Sequence, residues 1–273
     1  MSRAPRKSSL TNTDNTHFER QARRISKQQK QLDKDINIAT EIKLTGAKGR
    51  VIKLSDLINL EPLTDTQSDF FDAYEYGSEA FVLYGSAGTG KSFLGIYHSL
   101  VDILTPESIY KKLIIVRSSV QSRDQGHLPG TVEEKMEQFE LPYHSICAEL
   151  LGRKDAYQKL KDMGKIEFMS SSFLRGATFN DSIIIFDEIQ NETFSTISTL
   201  ITRTGKNSKL ILIGDGAQND LTHSRHDISG FEDFINVTQN MHEFSLIRFT
   251  SDDIVRSGLC KSWIIACEKL GLS

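Results

Sequence analysis

The sequence FVLYGSAGTGKSFLG, residues 81–95, decides the fold, because its glycine spacing is typical of a loop that binds phosphate. Glycines allow the backbone to turn several N–H groups toward phosphate oxygens, and the helix that follows directs its positive end at the same anion. Lys91 supplies a charge for the β- and γ-phosphates, and the Ser92 hydroxyl can ligate Mg²⁺. The residues that match G-x-x-x-x-G-K-[S/T], and that we predict to bind a nucleotide, are Gly85, Ser86, Ala87, Gly88, Thr89, Gly90, Lys91 and Ser92.

Apolar runs alternate with helical stretches from Leu63 onward, a pattern typical of a parallel sheet. We predict strands at Ala80–Tyr84, Leu113–Arg117, Ile166–Met169, Ser182–Phe186, Leu210–Ile213 and Phe244–Phe249. We predict helices at Phe70–Tyr76, Lys91–Leu104, Val132–Leu151, Asp155–Met163, Thr193–Arg203, Gly230–Val237 and Ile254–Leu270. The expected fold class is α/β: a P-loop NTPase (RecA-like) with a mostly parallel sheet flanked by helices.

An acidic pair, Asp187 and Glu188, follows the predicted strand Ser182–Phe186. Because parallel strands end at one edge of a sheet, the pair should lie beside the phosphate loop. Asp187 would then complete the Mg²⁺ site. Glu188 is a candidate general base that polarises a water toward the γ-phosphate, which favours hydrolysis over transfer to a substrate oxygen. The structural alternative is a surface acidic pair that caps the next helix.

A side-chain amide follows a third apolar strand, in the sequence KLILIGDGAQND. Gln218 in this segment is expected to contact the γ-phosphate and to report its presence or loss. Alone, a glutamine there would be read as an ordinary loop residue. After two phosphate-site motifs, a role as sensor is the better interpretation.

The bulk properties of the 273 residues favour one sizeable α/β domain with appendages. No run approaches the roughly 20 apolar residues of a membrane span, and the N-terminus lacks the apolar stretch of an export signal. Three cysteines without a Cys-x-x-Cys pair indicate neither a disulfide framework nor a zinc site. We therefore expect a protein of the cytoplasm, that of a host cell if the protein is viral.

The formal net charge of −3 is unevenly distributed. Residues 1–30 carry eight Lys/Arg against two acidic residues, +6, which leaves −9 for the remainder. A basic arm on an acidic body suits contact with nucleic acid, although a solvated, partly disordered tail is the plainer reading. We predict a basic N-terminal arm at residues 1–38, a hairpin-like lead-in at 39–62 and a single ATPase domain at 63–273.

Several segments together resemble the PhoH-like ATPases, which are single-domain relatives of the superfamily 1 helicase motor core. The resemblance covers about Thr64 to Glu268 and is most specific in FLRGATFNDSIIIFDEIQN; the other segments are LTDTQSDFFDAY, YGSAGTGKSFLG, IIVRSSVQSRDQGHLPGTVEEKM, GDGAQNDL and FTSDDIVRSGL. It implies ATP hydrolysis with Mg²⁺, with Gln67 as the adenine reader and Arg256 as the late arginine of the family. The sequence departs from the family pattern at Ser92, Ile189, Thr222 and Ser257-Gly258, and none of these is a change to the phosphate-site chemistry.

Superfamily 1 helicases close the ATP site with a second RecA-like domain, and the residues after Gln218 are too few for one at usual domain sizes. The resemblance therefore implies that a neighbouring subunit closes the site in a ring-shaped homo-oligomer, with a hexamer as the first candidate. An arginine from the neighbour would stabilise charge in the transition state. Arg256 is the first candidate for this arginine finger, and Arg203 is the second.

The leading functional hypothesis is an ATPase coupled to RNA or single-stranded nucleic acid. Candidate contacts are Ser118 and Arg123, after the second predicted strand, and Arg175 in the loop before the acidic pair. The acidic body and the lack of an RNP-like aromatic motif support this only weakly. The alternatives are a nucleotide-gated assembly or regulatory switch with slow turnover, and a phosphotransferase.

Overall fold

Six apolar segments form one sheet in the computed structural model, which describes residues 51–118, 132–215 and 230–271. The strands are β1 (Ala80–Gly85), β2 (Lys112–Arg117), β3 (Ile166–Ser170), β4 (Ser182–Asp187), β5 (Lys209–Gly214) and β6 (Phe244–Phe249). Each predicted strand agrees with the observed one to within one residue at either end. The strand order is β3-β2-β4-β5-β1-β6, and every pairing is parallel.

Helices cover both faces of the sheet in the described part of the chain. They are α1 (Asp65–Glu75), α2 (Lys91–Leu104), α3 (Val132–Leu151), α4 (Ala156–Asp162), α5 (Phe194–Ile201), α6 (Phe231–Thr238) and α7 (Gly258–Leu270). Alternate strand residues enter two separate apolar clusters, because successive side chains point to opposite faces. Phe81 and Leu83 pack in one cluster, and Val82 packs in the other. The predicted α/β fold with a parallel sheet is confirmed.

Two helices begin more than one residue away from the predicted start, and capping explains both. α1 begins at Asp65, earlier than expected, because the Thr64 side chain accepts a hydrogen bond from Gln67 N and caps the first turn. α7 begins only at Gly258, because Asp253 and Thr250 form a capping box around a short 3₁₀ turn, Ser251–Asp253. The polar side chains thus set boundaries that apolar periodicity alone does not reveal.

The predicted arm, residues 1–38, lies outside the described residues, as does the first half of the predicted lead-in, residues 39–50. The described end of that lead-in, residues 51–62, contains a 3₁₀ turn at Leu54–Asp56 and no strand, and its Ile52 packs into the core. The described residues all fall in one compact unit, Gly49–Ser273, and the domain boundaries at 38 and 62 stay predictions. None of the helices in the described ranges has the length and apolar character needed to cross a membrane.

The strand order determines where polar side chains meet. β1 and β2 follow one another in the chain but are separated in the sheet by β4 and β5. Such a reversal of strand order opens a crevice at the carboxyl ends of the strands, where ligands bind in open α/β sheets. The phosphate loop after β1, Arg117 at the end of β2, Asp187 at the end of β4 and Asp215 after β5 all lie at this edge.

Candidate active site

The loop between β1 and α2 takes the backbone conformation that its glycines allow. Gly85, Gly88 and Gly90 have φ angles of 113°, 74° and 88°, in the region that residues with a Cβ rarely adopt. At Gly85 a Cβ would also collide with the backbone oxygen of Phe249 on β6. Gly90 is the N-cap of α2, so the loop passes directly into a helix N-terminus.

Lys91 is largely buried at this loop, and its ammonium donates hydrogen bonds to backbone oxygens. Nζ lies 2.8 Å from Gly85 O and 2.7 Å from Ser86 O. Burial lowers the pKa of Lys91, and the charges of Asp215, Asp187 and Glu188 act in the opposite direction. Lys91 takes part in none of the salt bridges among the described residues, so no carboxylate of that part of the chain is its direct partner. A cation placed in this way suits an external anion such as a phosphate.

The predicted metal pair is brought together. Ser92 Oγ donates to the Asp187 carboxylate, at 3.1 Å from Oδ1 and 3.2 Å from Oδ2. A hydroxyl and a carboxylate are oxygen ligands of the kind that Mg²⁺ prefers, and Mg²⁺ usually takes its remaining ligands from phosphates and water. The described residues contain no group of three or more His, Cys, Asp or Glu side chains that could hold a metal on its own. This donor set fits a Mg²⁺ ion that arrives with a nucleotide.

Glu188 follows Asp187 in a left-handed backbone conformation, with φ 60°. Gln190 Nε2 donates to its Oε2 at 2.6 Å, and Arg117 lies 3.7 Å from its Oε1. Burial and the Asp187 charge raise the pKa of Glu188, while Arg117 and Gln190 counteract that rise. The carboxylate is therefore held at a fixed place beside the metal pair, as a general base requires.

Three residues of this site were missed by the sequence analysis. Tyr143 of α3 donates its hydroxyl proton to Asp187 Oδ2 at 2.9 Å. Gln190 joins Glu188 to the end of β5, because its Oε1 accepts from Asp215 N at 3.0 Å. Arg117 forms the ion pair with Glu188. Gln190 and Arg117 had a sequence signal, since Gln190 lies in the acidic motif DEIQN and Arg117 ends a predicted strand within the segment IIVRSSVQSRDQGHLPGTVEEKM.

Gln67, expected to read adenine, lies against the phosphate loop. Its side-chain Nε2 donates to Thr89 O at 3.1 Å, and its Oε1 accepts from Leu63 N at 2.8 Å. Only 3% of the residue is exposed. These contacts brace the loop from α1, a role that the sequence analysis did not foresee; the contact with adenine stays a prediction.

The segment around Arg256 lies against the phosphate loop of its own chain. Val255 N donates to Gly88 O at 3.2 Å, and a Cβ placed on Gly88 would lie 3.0 Å from Arg256 Cγ. Ser86 Oγ donates to Glu268 Oε1 of α7 at 2.6 Å. The segment of Arg256 thus lies beside the phosphate loop with the residue itself exposed, and its role as arginine finger or sensor stays a prediction.

The remaining predicted residues are dispersed. Arg203 follows α5 and lies at the amino-terminal edge of the sheet, next to the bridge between Phe179 and Thr204, away from the phosphate loop. Ser118 is 6% exposed and donates to Asn191 O at 3.5 Å, and its contact with nucleic acid stays a prediction. Arg175 is exposed in the turn after β3. Gln218 and Arg123 lie outside the described residues.

Residues 59–268 match the model of a family described as PhoH-like protein. The chain is 31% identical over 224 residues to a PhoH-like protein of Bacillus subtilis (strain 168), covering 82% of this chain and 66% of that one. It is 29% identical over 201 residues to a PhoH-like protein of Mycobacterium bovis, covering 73% and 55%. The chain thus spans about half the length of the mycobacterial relative.

Two solved structures resemble the fold at low sequence identity. One is a large terminase from a thermophilic bacteriophage in complex with ADP, with a TM-score of 0.46, 12% identity and coverage of 74% of this chain and 49% of that chain. The other is the Pif1 helicase from Candida albicans, with a TM-score of 0.35, 16% identity and coverage of 70% and 41%.

Proposed function

The chain belongs to the family of PhoH-like proteins, and from that premise we propose that it is an ATPase that hydrolyses ATP with Mg²⁺. The observation that carries the proposal is the Ser92–Asp187 pair with Glu188 beside it, at the carboxyl edge of the sheet. Phosphate binding alone would not require a half-buried, hydrogen-bonded carboxylate at position 188. Such a carboxylate suits hydrolysis, because it can orient the attacking water and take its proton.

In the proposed reaction each group at the site has one task. Lys91 and the loop N–H groups bind the phosphates and stabilise the charge that develops on them. Ser92 and Asp187 would hold Mg²⁺, which would supply positive charge to neutralise the phosphates. Glu188 orients a water and takes its proton. The hydrogen bond from Gln190 and the nearby Arg117 hold Glu188 in position.

The test of this chemistry is Glu188→Gln, which keeps the size of the side chain and removes the base. We expect turnover to fall by about 10²–10⁴-fold, with ATP binding retained. Glu167→Gln is the matched control, because Glu167 forms a surface salt bridge with Lys112 at 2.6 Å on an edge strand. Retained turnover in Glu188→Gln would contradict hydrolysis by this route and favour a phosphotransferase.

We further propose that the ATPase acts on RNA or single-stranded nucleic acid as a ring-shaped homo-oligomer. The basic arm, Arg123 and Arg175 are the candidate nucleic-acid contacts; of these, Arg175 is exposed in the structure. The outer face of α7 supports assembly, because Leu259, Trp263 and Leu270 are all exposed there. Large apolar side chains grouped on one face are characteristic of surfaces that a partner covers.

A nucleotide-gated switch with slow turnover is the second candidate, and contacts of the C-terminal segment favour it. The bonds from Ser86 to Glu268 and from Val255 to Gly88 couple the phosphate loop to α7. Rates of ATP hydrolysis with and without single-stranded RNA or DNA, measured beside the native mass, separate the two. Stimulation by nucleic acid supports the motor, and indifference to it supports the switch. A monomer with brisk turnover would contradict the ring.

A further inference from the structure

The Asp187 carboxylate accepts hydrogen bonds from three different parts of the chain. Ser92 Oγ of α2 lies close to both oxygens, and the backbone N of Glu188 donates to Oδ1 at 3.1 Å. The third donor is the Tyr143 hydroxyl, 2.9 Å from Oδ2. The shortest of these contacts therefore comes from a residue outside the two phosphate-site motifs.

Tyr143 is rigidly placed. It is fully buried in α3, and its ring packs 5.8 Å from that of Phe168 on β3. The preceding residue is Pro142, which cannot donate its backbone bond in the helix and so interrupts the ladder at this turn. A buried hydroxyl needs a partner, and Asp187 is the acceptor on which it is aligned.

The same turn of α3 also contacts the second acidic residue, through Arg117. One guanidinium nitrogen of Arg117 lies 3.5 Å from Phe139 O, and the group lies 5.9 Å from the centre of the Phe139 ring. Another nitrogen lies 3.7 Å from Glu188 Oε1. The turn from Phe139 to Tyr143 thus touches Asp187 directly and Glu188 through one side chain.

We propose that Tyr143 is a positioning residue for the Mg²⁺ site: its hydroxyl fixes the plane of the Asp187 carboxylate so that the carboxylate and Ser92 meet the ion together. This inference rests on the proposed ATPase function. Partners that orient a metal-binding side chain are worth about 10–100-fold in metal affinity. A carboxylate held only by Ser92 and a backbone N–H retains rotational freedom that ion binding would have to remove.

The test is Tyr143→Phe, which removes only the hydroxyl. Binding of N-methylanthraniloyl-ATP is followed by fluorescence while Mg²⁺ is titrated, and again in EDTA. We expect half-maximal Mg²⁺ enhancement of binding to need at least about tenfold more Mg²⁺ than in the wild type, with binding in EDTA unchanged. An unaltered Mg²⁺ requirement in Tyr143→Phe would overturn the proposal.

The matched control is Tyr74→Phe. Tyr74 is also buried and donates its hydroxyl proton to an aspartate, Asp102, at 2.8 Å, at the other edge of the sheet. Both variants lose one Tyr–Asp hydrogen bond and should unfold at similar temperatures. Only Tyr143→Phe should shift the Mg²⁺ requirement. An equal shift in Tyr74→Phe would show that the effect comes from a general loss of stability, and it would overturn the positioning role.

A second measurement does not depend on the Tyr143→Phe variant folding. In wild-type protein labelled with 3-fluorotyrosine, with resonances assigned by substitution of the other tyrosines, the ¹⁹F signal of Tyr143 should move when Mg²⁺ is added to the ATP complex. The Tyr74 signal should stay in place. A Tyr143 signal that does not respond to Mg²⁺ would contradict the proposal, whereas failure of the wild type to bind the ATP analogue at all would refute the ATPase function itself.

Discussion

Two lysines are buried at opposite edges of the sheet, and they are stabilised in different ways. Lys209, 7% exposed at the start of β5, lies 3.3 Å from Asp102 and 3.6 Å from the centre of the Tyr74 ring. Lys91, 9% exposed at the start of α2, donates to two backbone oxygens. Burial lowers the pKa of both. The protein supplies the counter-charge of Lys209 itself, whereas the place of Lys91 suits a counter-charge from a ligand.

Each edge also contains a buried tyrosine that donates to an aspartate. At the amino-terminal edge Tyr74, Asp102 and Lys209 form a closed cluster of polar groups that bond one another. At the carboxyl-terminal edge Tyr143 and Asp187 are joined to Ser92, a residue of the phosphate loop. A buried Tyr–Asp hydrogen bond thus serves stability at one edge and a binding site at the other. The difference is that Lys209 neutralises the carboxylate at the amino-terminal edge, whereas the carboxylate at the carboxyl-terminal edge is joined to a residue of the phosphate loop.

The largest effect that separates the two edges is expected from Lys91→Met. Loss of the ammonium removes a preorganised cation that would face the phosphates, so ATP binding and turnover should fall by at least about 100-fold. The free energy of unfolding should change little, since the lost bonds are to backbone oxygens at the loop. Titration of ATP and urea denaturation of the same preparation check both points. Unimpaired ATP binding in Lys91→Met would contradict the claim that Lys91, unlike Lys209, is placed for a ligand.

Lys209→Met should have the opposite effects, a lower free energy of unfolding and unchanged ATP binding. It leaves Asp102 without its cation and removes the cation over the Tyr74 ring, so we expect a loss of about 1–3 kcal/mol in the free energy of unfolding. At temperatures where the variant is folded, ATP binding should match the wild type. Urea denaturation and ATP titration again give the two values, and a stable variant that fails to bind ATP would contradict the assignment of this edge to stability.

A pH-dependent effect is expected from His98, which lies in the same cluster against the rings of Phe70, Phe71, Tyr74 and Tyr97. Burial, followed by the charge of Lys209, lowers the pKa of His98 from 6.5 to about 4. As the pH falls from 6.5 to 4, the unfolded chain takes up a proton that the folded chain does not. The folded state therefore loses stability over this window, by up to about 2–3 kcal/mol.

The variant His98→Phe should flatten this part of the pH dependence, measured by urea denaturation at several pH values. His242→Gln is the control, because the His242 side chain is 94% exposed. In Lys209→Met the pKa of His98 should rise, since one of its two causes is gone, and the loss between pH 6.5 and 4 should shrink. Parallel pH profiles for the wild type and His98→Phe would show that His98 is not the titrating group.

The sequence predicted those parts of the site that depend on local pattern. Lys91, Ser92 and Asp187 lie directly at the ends of strands or helices, so the parallel sheet brings them to one edge without further information. Tyr143 could not be predicted in the same way. It lies 44 residues before Asp187, and the bond between them depends on how α3 packs against the sheet.

Two further predicted residues illustrate the same limit, namely that the sequence pattern does not reveal what packs against a side chain. Ser118, a candidate nucleic-acid contact, follows β2, and only the structure shows that it is buried with its hydroxyl 3.5 Å from Asn191 O. Arg256 is the first candidate for an arginine finger, and only the structure shows that its stem packs on Gly88 of its own chain. Position after a strand predicts the edge of the sheet at which a side chain lies; it does not predict what packs over that side chain.

The most direct test of the account is the release of phosphate from ATP, measured side by side for the wild type, Lys91→Met, Lys209→Met and Glu188→Gln with Mg²⁺ at a temperature where all are folded. We expect the wild type and Lys209→Met to release phosphate at similar rates, and Lys91→Met and Glu188→Gln to release little. Phosphate release that survives in Lys91→Met and Glu188→Gln, or that is lost in Lys209→Met alone, would contradict the placement of the active site at the carboxyl edge of the sheet.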